Sequence, residues 1–176
     1  MYGSFLDQLE DTVRRVPDKI AFFSDEEQIT YAQLLRAARA MGSRLSGEIA
    51  PRSAVAVLMA GRSVYTPPAF LSALYAGCAY APLDVSLPPA LLSLLLSRLS
   101  PGVILADERG RRALEGVAVS APVLCAEEAL GAEIDDKLLA ERRRGASAQD
   151  PMSILCTSGS TGVPKFSVQN QLAYLL

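Results

Sequence analysis

A short run of hydroxyl, glycine and lysine residues near the end of the chain has the composition of an anion-binding loop. It follows an apolar stretch and comprises Thr157, Ser158, Gly159, Ser160, Thr161, Gly162 and Lys165. The two glycines lack a Cβ atom, so consecutive backbone N–H groups can approach an anion closely. The hydroxyl groups add further donors, and the lysine adds a compact positive charge. This combination predicts a binding site for a polyphosphate.

The same composition is also typical of an ordinary surface turn between two strands, because glycine, serine and threonine are common turn formers. The run is not a Walker A loop, which requires the pattern GxxxxGK[ST]. Only two residues separate Gly162 from Lys165, and Phe166 stands where the serine or threonine would be. On composition alone, a phosphate loop and a plain turn remain equally open.

The overall composition excludes several classes of protein. The chain has 176 residues, a net charge of −2 and no histidine. It therefore carries neither a Ser-His-Asp or Cys-His catalytic group nor a His-ligated metal site, and it lacks the basic surface typical of nucleic-acid binding. Its three cysteines, Cys78, Cys125 and Cys156, form no CxxC pair, and we predict all three to be small buried residues in a reducing compartment.

Nothing in the sequence indicates a membrane protein. The apolar run Leu91 to Leu99 is shorter than the roughly 20 residues needed to span a bilayer, and it contains Arg98. Residues 1–9 have neither the basic start nor the long apolar run of a signal peptide. We therefore predict a cytoplasmic location without nucleic-acid or membrane partners.

Residues 1–50 are predicted to form a helix, a hairpin and a second helix. Ser4 and Asp7 have the spacing of a capping box, and Pro17 should end the helix that follows. Residues 20–23 and 28–31 flank a polar turn and resemble a β-hairpin. Thr30 and Gln33 form a second candidate capping box, at the start of a helix that should end near residue 47.

From residue 51 onward, short apolar runs alternate with helical patterns. Strands are predicted at 54–59, 78–81, 103–106, 122–125 and 152–156, with helices between the first four. This alternation predicts an α/β fold with a mostly parallel sheet flanked by helices. We assign 51–130 to an α/β subdomain and 131–150 to a charged loop or linker, either a solvated helix or a mobile loop. Residues 151–176 should form a strand, the phosphate loop and the start of a helix at Gln169.

Three segments together resemble the adenylate-forming superfamily, which includes acyl-CoA synthetases, luciferases and the adenylation domains of nonribosomal peptide synthetases. The run TSGSTGVPK, residues 157–165, resembles the phosphate loop of that superfamily. Upstream, ITYAQL (29–34) and LYAGCAYAPLD (74–84) resemble its first two core motifs, in the same order. The pairing of AYAPLD (79–84) with TSGSTG (157–162) is more similar to amino-acid-activating members, such as peptide synthetase adenylation domains and D-alanine–carrier-protein ligases, than to fatty-acyl enzymes. For the two upstream motifs we interpret every residue as scaffold, since helix stops, strand ends and packing explain each one.

The resemblance implies a fold, a reaction and ligands. The chain would be the front part of the large N-terminal domain of such a ligase. Thr157 to Gly162 and Lys165 would hold the β- and γ-phosphates of ATP, with Mg²⁺ accompanying the nucleotide. The reaction would join a carboxylic acid, and by the closer resemblance an amino acid, to AMP and pass it to the thiol of a carrier protein or CoA. Neither the catalytic residue nor the acyl pocket can be assigned from these 176 residues.

The sequence departs from the superfamily at several positions. Phe166 stands where glycine is usual, Gln169 stands where histidine is frequent, and an arginine common after Pro88 is not found. The later motifs for adenine, ribose and the acyl group do not occur in these residues, so the chain alone should be inactive. Its apolar end, from Leu172 to Leu176, should favour self-association.

Three hypotheses remain open on the sequence. The first is the adenylating enzyme just described. The second is a non-catalytic, degenerate adenylation-like module that serves in protein interactions, an idea that Phe166 favours. The third is the phosphate-binding domain of a different α/β enzyme, which the three ordered segments make less attractive.

Overall fold

The protein folds into a six-stranded sheet with helices on both faces, preceded by a separate two-stranded hairpin. The structure is a computed structural model that describes residues 3–24, 27–60, 63–144, 146–157 and 164–175. The helices are α1 (Phe5–Arg15), α2 (Tyr31–Ser46), α3 (Thr66–Tyr75), α4 (Pro89–Leu99), α5 (Glu108–Ala113), α6 (Ala126–Leu130) and α7 (Asp136–Arg144). The strands are β1 (Ile20–Phe23), β2 (Gln28–Thr30), β3 (Ala54–Leu58), β4 (Ala79–Pro82), β5 (Val103–Ala106), β6 (Val123–Cys125), β7 (Pro151–Thr157) and β8 (Lys165–Asn170). A 3-10 turn, Gln171–Tyr174, follows β8.

Local sequence signals fix the starts of the first two helices. The Ser4 hydroxyl accepts a hydrogen bond from the backbone N–H of Asp7 at 3.2 Å. At the start of α2 the capping box is complete, because Thr30 accepts from the Gln33 N–H at 3.3 Å and the Gln33 side chain accepts from the Thr30 N–H at 2.8 Å. These bonds satisfy amides that the first helical turn leaves free. The predicted helix, hairpin and helix at the start of the chain are confirmed.

The large sheet has the strand order β6-β5-β3-β4-β7-β8. Its strands pair in parallel from β6 to β7, and only β7 and β8 pair antiparallel. The predicted α/β fold with a mostly parallel sheet is therefore confirmed. Because the strands from β3 to β7 run in the same direction, their carboxyl ends meet at one edge, where open α/β sheets bind ligands.

Alternating side chains along the strands supply two apolar layers. In β3, Val55 and Val57 face a cluster formed with α2 and α3, while Ala56 and Leu58 face a cluster formed with α4. This two-residue period is the ordinary geometry of a strand covered on both faces. Both layers are dry, since all four of these side chains are at most 1% exposed. The sheet is therefore a rigid support for whatever lies at its edge.

Within the charged segment 131–150, helix α7 (Asp136–Arg144) is held against the body of the protein. Leu139 of α7 is buried, and Arg142 donates to the backbone carbonyls of Ser46 and Ile49 at 2.6 and 2.9 Å. Those carbonyls lie at and just beyond the carboxyl end of α2, where free acceptors and the helix dipole favour a cation. Of the two interpretations left open by the sequence, the structure shows a helix, and it is docked.

The predicted helix at Gln169 is wrong. Residues 165–170 form β8, which pairs with β7 through Ile154 opposite Val168 and Leu155 opposite Ser167. Only the short 3-10 turn follows, capped by the side chain of Asn170. Pairing with β7 gives the backbone of residues 165–170 its hydrogen-bond partners, and this tertiary contact outweighs the local helical pattern.

Within the described ranges, no helix has both the length and the apolar character needed to cross a membrane.

Candidate phosphate-binding site

Strand β7 ends at the carboxyl edge of the sheet, immediately before the predicted phosphate loop. Thr157 ends β7 and Lys165 begins β8, and these two residues are opposite each other in the ladder. The Thr157 hydroxyl also donates to the backbone carbonyl of Lys165 at 3.3 Å. The two ends of the predicted loop are therefore held together by the β-ladder and by the hydrogen bond of the Thr157 hydroxyl.

Two of the predicted site residues, Thr157 and Lys165, are placed by the structure, and both are exposed to solvent. The remaining predicted residues lie outside the described residues; they are Ser158, Gly159, Ser160, Thr161 and Gly162. The described pair confirms neither their roles nor a bound phosphate, which remain predictions.

Lys165 is available to a ligand as a cation. Among the described residues, none of the ion pairs involves its ammonium group. Side chains alternate along a strand, so Lys165 lies on the same face as Thr157 and on the face opposite Phe166. An exposed ammonium without a carboxylate partner can approach phosphate oxygens without first breaking an ion pair.

A groove of about 640 Å³ opens directly beside Thr157, at the carboxyl ends of β4 and β7. It is mostly apolar, and its lining residues are Pro82, Leu83, Asp84, Leu87, Leu91, Leu95, Leu155, Cys156, Thr157 and Pro164. Concave, largely apolar clefts of this size with a few polar groups are the usual form of small-molecule sites. The groove therefore adds a ligand-sized space to the edge at which Lys165 lies.

Asp84 supplies a fixed negative charge to this groove. Its carboxylate accepts from both the backbone N–H and the hydroxyl of Ser86, each at 2.8 Å. These hydrogen bonds favour the ionised form and lower the pKa of Asp84 below its ordinary value. Asp84 is thus ionised at neutral pH, and its bonds to Ser86 shape the turn after β4.

In the two upstream motifs, Gly77, Tyr80 and Tyr31 have structural roles, whereas Asp84 at the end of the second motif lines the groove. Gly77 lies beyond α3 with φ of +70°, a conformation that glycine adopts without strain. Tyr80 stacks on Phe70 with ring centroids 4.6 Å apart, and burial raises its pKa. In the first motif, Tyr31 packs against the core cluster formed by α1, α2 and α3. Backbone conformation explains Gly77, and packing explains Tyr80 and Tyr31.

Sequence reasoning missed the contacts that hold the outgoing strand. Arg98 of α4 donates from Nη1 to the backbone carbonyl of Pro164 at 3.0 Å. Phe166 packs against the apolar cluster between α4 and the sheet. Phe166 was noticed only as a departure from the superfamily, and the sequence contains no signal that would link Arg98 to a residue so far along the chain.

The three cysteines have three different environments. Cys78 is buried, with its pKa raised by burial, as expected for a small core residue. Cys125 is half-buried, and its sulfur lies 2.9 Å from Arg111 Nη1 and 3.0 Å from Glu127 Oε2. The prediction that Cys156 is buried is wrong, because it is exposed near the end of β7, where it lines the groove. Across the described ranges, no group of His, Cys, Asp and Glu residues is arranged to hold a metal ion.

The family model for AMP-binding enzymes matches residues 9–175 of the chain. Among curated proteins, the chain is 35% identical over 152 residues to nonribosomal peptide synthetase 7 of Gibberella zeae, a match that covers 85% of this chain and 3% of that protein. It is 24% identical over 164 residues to tyrocidine synthase 1 of Brevibacillus parabrevis, covering 93% of this chain and 15% of that protein. The chain therefore spans a small part of the relatives it matches.

Solved structures show the same fold. The nonribosomal peptide synthetase FmoA3 bound to α-methyl-L-serine-AMP superposes with a TM-score of 0.79 and 25% identity, over 96% of this chain and 18% of that one. The N-terminal subdomain of NpsA from Klebsiella oxytoca superposes with a TM-score of 0.77 at 22% identity, over 97% of this chain and 42% of that one. With the matched family model, the parallel sheet and the Thr157–Lys165 pair at its carboxyl edge, these similarities show that the chain belongs to the AMP-binding, adenylate-forming enzyme family.

Proposed function

We propose that the protein carrying this chain uses ATP to activate a carboxylic acid, specifically an amino acid, as an acyl-AMP and then transfers the acyl group to a thiol. The observation that carries the proposal is the cation Lys165, which makes no ion pair with the described residues and lies opposite Thr157 at the carboxyl edge of the sheet, in a member of the AMP-binding family. The choice of an amino acid is supported by the peptide synthetases among the relatives, one of which holds an aminoacyl-AMP.

In this proposal Thr157, residues 158–162 and Lys165 hold the β- and γ-phosphates of ATP. Backbone amides and hydroxyls would donate to phosphate oxygens, and the lysine would neutralise part of their charge. Mg²⁺ would arrive with ATP, since this ion is usually held by substrate phosphates together with one or two carboxylates. The catalytic residue remains unassigned.

The proposed reaction suits a chain without histidine. The substrate carboxylate is already ionised at neutral pH, so it needs no general base before its oxygen attacks the α-phosphorus. A carboxyl oxygen–phosphorus bond forms, the bond between the α-phosphorus and the bridging oxygen breaks, and pyrophosphate leaves with the electron pair. Catalysis of such transfers depends mainly on positioning the reactants and on stabilising the developing charge. In this proposal the Lys165 ammonium at the carboxyl edge of the sheet supplies part of that charge stabilisation. The acceptor would be the phosphopantetheine thiol of a carrier protein, or CoA.

The alternative of a non-catalytic interaction module was suggested by Phe166. Its side chain packs on the α4 face, whereas Lys165 lies on the opposite face of the same strand. The bulky ring therefore does not compete with the lysine for the same space. This placement supports the enzyme over the degenerate module.

The proposal is tested by ATP–pyrophosphate exchange with the full-length protein, supplied with a panel of amino acids. We expect Lys165→Ala to lower exchange about 100-fold or more, the usual effect of removing one preorganised charge from a reaction centre. Lys137→Ala removes an exposed lysine from α7 and should leave exchange unchanged. Gly159→Val should also impair exchange by adding a β-branched side chain to the predicted loop. Equal exchange by wild type and both site variants would refute the proposal.

We also propose that residues 1–176 alone do not catalyse exchange. The motifs that the resemblance implies for adenine, ribose and acyl contacts do not occur in these 176 residues. Acyl-AMP formation by the purified 176-residue chain would contradict this statement.

Self-association of the same chain is the remaining part of the proposal. Leu172 and Tyr174 are 46% and 40% exposed, next to Val168, which is 59% exposed. Adjoining exposed apolar side chains of this kind favour association. Light scattering at increasing concentration should show a rising mass, and a constant monomer mass would count against it.

A further inference from the structure

Both chain neighbours of Lys165 are attached to helix α4. On one side, Arg98 donates to the carbonyl oxygen of Pro164 at 3.0 Å. On the other side, Phe166 packs against the apolar cluster to which α4 contributes Leu92, Leu95 and Leu96. The backbone at Lys165 is therefore held by a hydrogen bond before it, by apolar packing after it and by the ladder pair with Thr157.

This attachment matters because β8 is an edge strand of the sheet and, among the described strands, pairs with β7 alone. The end of an edge strand, next to a turn, is where a ladder opens most easily. A lysine side chain also has four rotatable bonds, so the side chain alone does not fix the position of its ammonium group. Any precision in the location of the Lys165 ammonium must therefore come from its backbone.

We propose that Arg98 and Phe166 are positioning residues that hold the start of β8 against α4 and thereby set where Lys165 meets the terminal phosphates of ATP. The inference rests on the proposed function, because it assumes that Lys165 binds phosphate. Neither residue touches the phosphates in this proposal. Each acts through the backbone of Lys165, which distinguishes them from a second phosphate-binding cation or a direct ligand contact.

The placement of Arg98 agrees with such a role. It lies in the last turn of α4, where a cation is favoured by the helix dipole, so α4 gains from keeping a cation there. Its guanidinium reaches out of the helix to the carbonyl of a proline, which has no N–H of its own to pair in a ladder. Phe166 pairs with Cys156 across the ladder, and the pair lies on the α4 side of the sheet.

The test is equilibrium titration of ATP with Mg²⁺ into the full-length protein and its variants. Arg98→Ala and Phe166→Ala should each weaken ATP binding about fivefold, the worth of one ordinary net interaction. Arg98→Lys, which keeps a donor, and Phe166→Leu, which keeps the apolar contact, should recover most of the affinity. Arg112→Ala removes an equally exposed arginine from α5 and should bind ATP as wild type does.

The decisive comparison uses the same substitutions in a Lys165→Ala background. Groups that act through Lys165 lose their effect when the lysine is gone, whereas direct contacts add their losses independently. We therefore expect Arg98→Ala and Phe166→Ala to cost nothing further once Lys165 is alanine. Additive losses would indicate direct contacts with ATP, and an effect of Arg98 that disappears in 0.5 M salt would indicate a long-range charge; either result would overturn the proposal.

The outcomes separate the two levels of inference. If Lys165→Ala binds ATP like wild type, the proposed function fails and the positioning role fails with it. If Lys165→Ala weakens binding but Arg98→Ala and Phe166→Ala do not, only the positioning role is overturned. Should Phe166→Ala unfold, which thermal melting would reveal, the Phe166→Leu and Arg98→Ala variants decide the question.

Discussion

A charge cluster joins α1, α3 and α7 and offers a quantitative test of the packing described above. Arg143 of α7 donates from Nη1 to both carboxylate oxygens of Glu10, at 2.7 and 2.8 Å, and from Nη2 to Asp7. The Tyr75 hydroxyl of α3 donates to the same Glu10 carboxylate at 2.9 Å. Removing either member of the Arg143–Glu10 pair should therefore loosen three helices together.

The expected size follows from the exposure of the pair. The side chains of Arg143 and Glu10 are 32% and 26% exposed, so the pair is neither fully solvated nor fully buried. Exposed pairs contribute about 0.2–1 kcal/mol, and breaking a buried pair costs about 3–5 kcal/mol. Two charge-assisted hydrogen bonds in a partly screened site should give a coupling energy of about 1–1.5 kcal/mol between Arg143→Ala and Glu10→Ala. Glu10→Ala alone should cost about 2 kcal/mol, because it also leaves the Tyr75 hydroxyl unpaired.

The assay is urea unfolding of wild type, both single variants and the double variant, followed by circular dichroism. The matched control is the same cycle on Arg112 and Glu108 of α5, whose side chains are 69% and 64% exposed. That pair should give a coupling of about 0.3 kcal/mol. A coupling at Arg143–Glu10 no larger than in the control would refute the idea that partial burial strengthens this cluster.

Three further predictions concern the fold. Gly110→Ala should lower the free energy of unfolding by about 1–3 kcal/mol, since an added Cβ would lie 2.0 Å from a carbonyl oxygen of β3, whereas Gly131→Ala, whose Cβ would meet nothing closer than 3.6 Å, should not. Burial raises the pKa of Glu127, but its hydrogen bonds outweigh this effect and lower the pKa to about 2. The ionised side chain therefore stabilises the fold above its unfolded pKa, and this stabilisation is lost as the pH falls toward 2. Glu127→Gln should reduce the loss of unfolding free energy between pH 4.5 and 2, and an unchanged loss would contradict this. Leu92→Ala in the α4 layer should cost about 2–5 kcal/mol because Leu92 is fully buried, and Leu94→Ala on the exposed side of the same helix should cost under about 1 kcal/mol by the same denaturation measurement.

The sequence alone predicts secondary structure wherever the interactions that determine it are local. Ser4 and Thr30 mark helix starts because a capping hydroxyl bonds to an amide only three residues away. Apolar runs such as 54–58 and 103–106 predict buried strands because both of their faces must be covered. Alternation of these strands with helices then predicts the parallel sheet, since parallel strands require crossover connections. The composition of residues 157–165 left a phosphate loop and a plain turn equally open, and the resemblance to the superfamily favoured the phosphate loop.

Only the tertiary structure decided what depends on distant partners. Residues 165–170 are a strand because β7 pairs with them, and their own sequence did not reveal this. Arg98 reaches Pro164, and Arg143 reaches Glu10, across separations in sequence that carry no pattern. The exposure of Cys156 likewise depends on the groove between β7 and α4, which forms only in the folded protein. Local interactions determine the helices and strands, so the sequence predicts them. The contacts of Arg98 with Pro164 and of Phe166 with the α4 cluster form only when α4 and β8 come together in the folded protein.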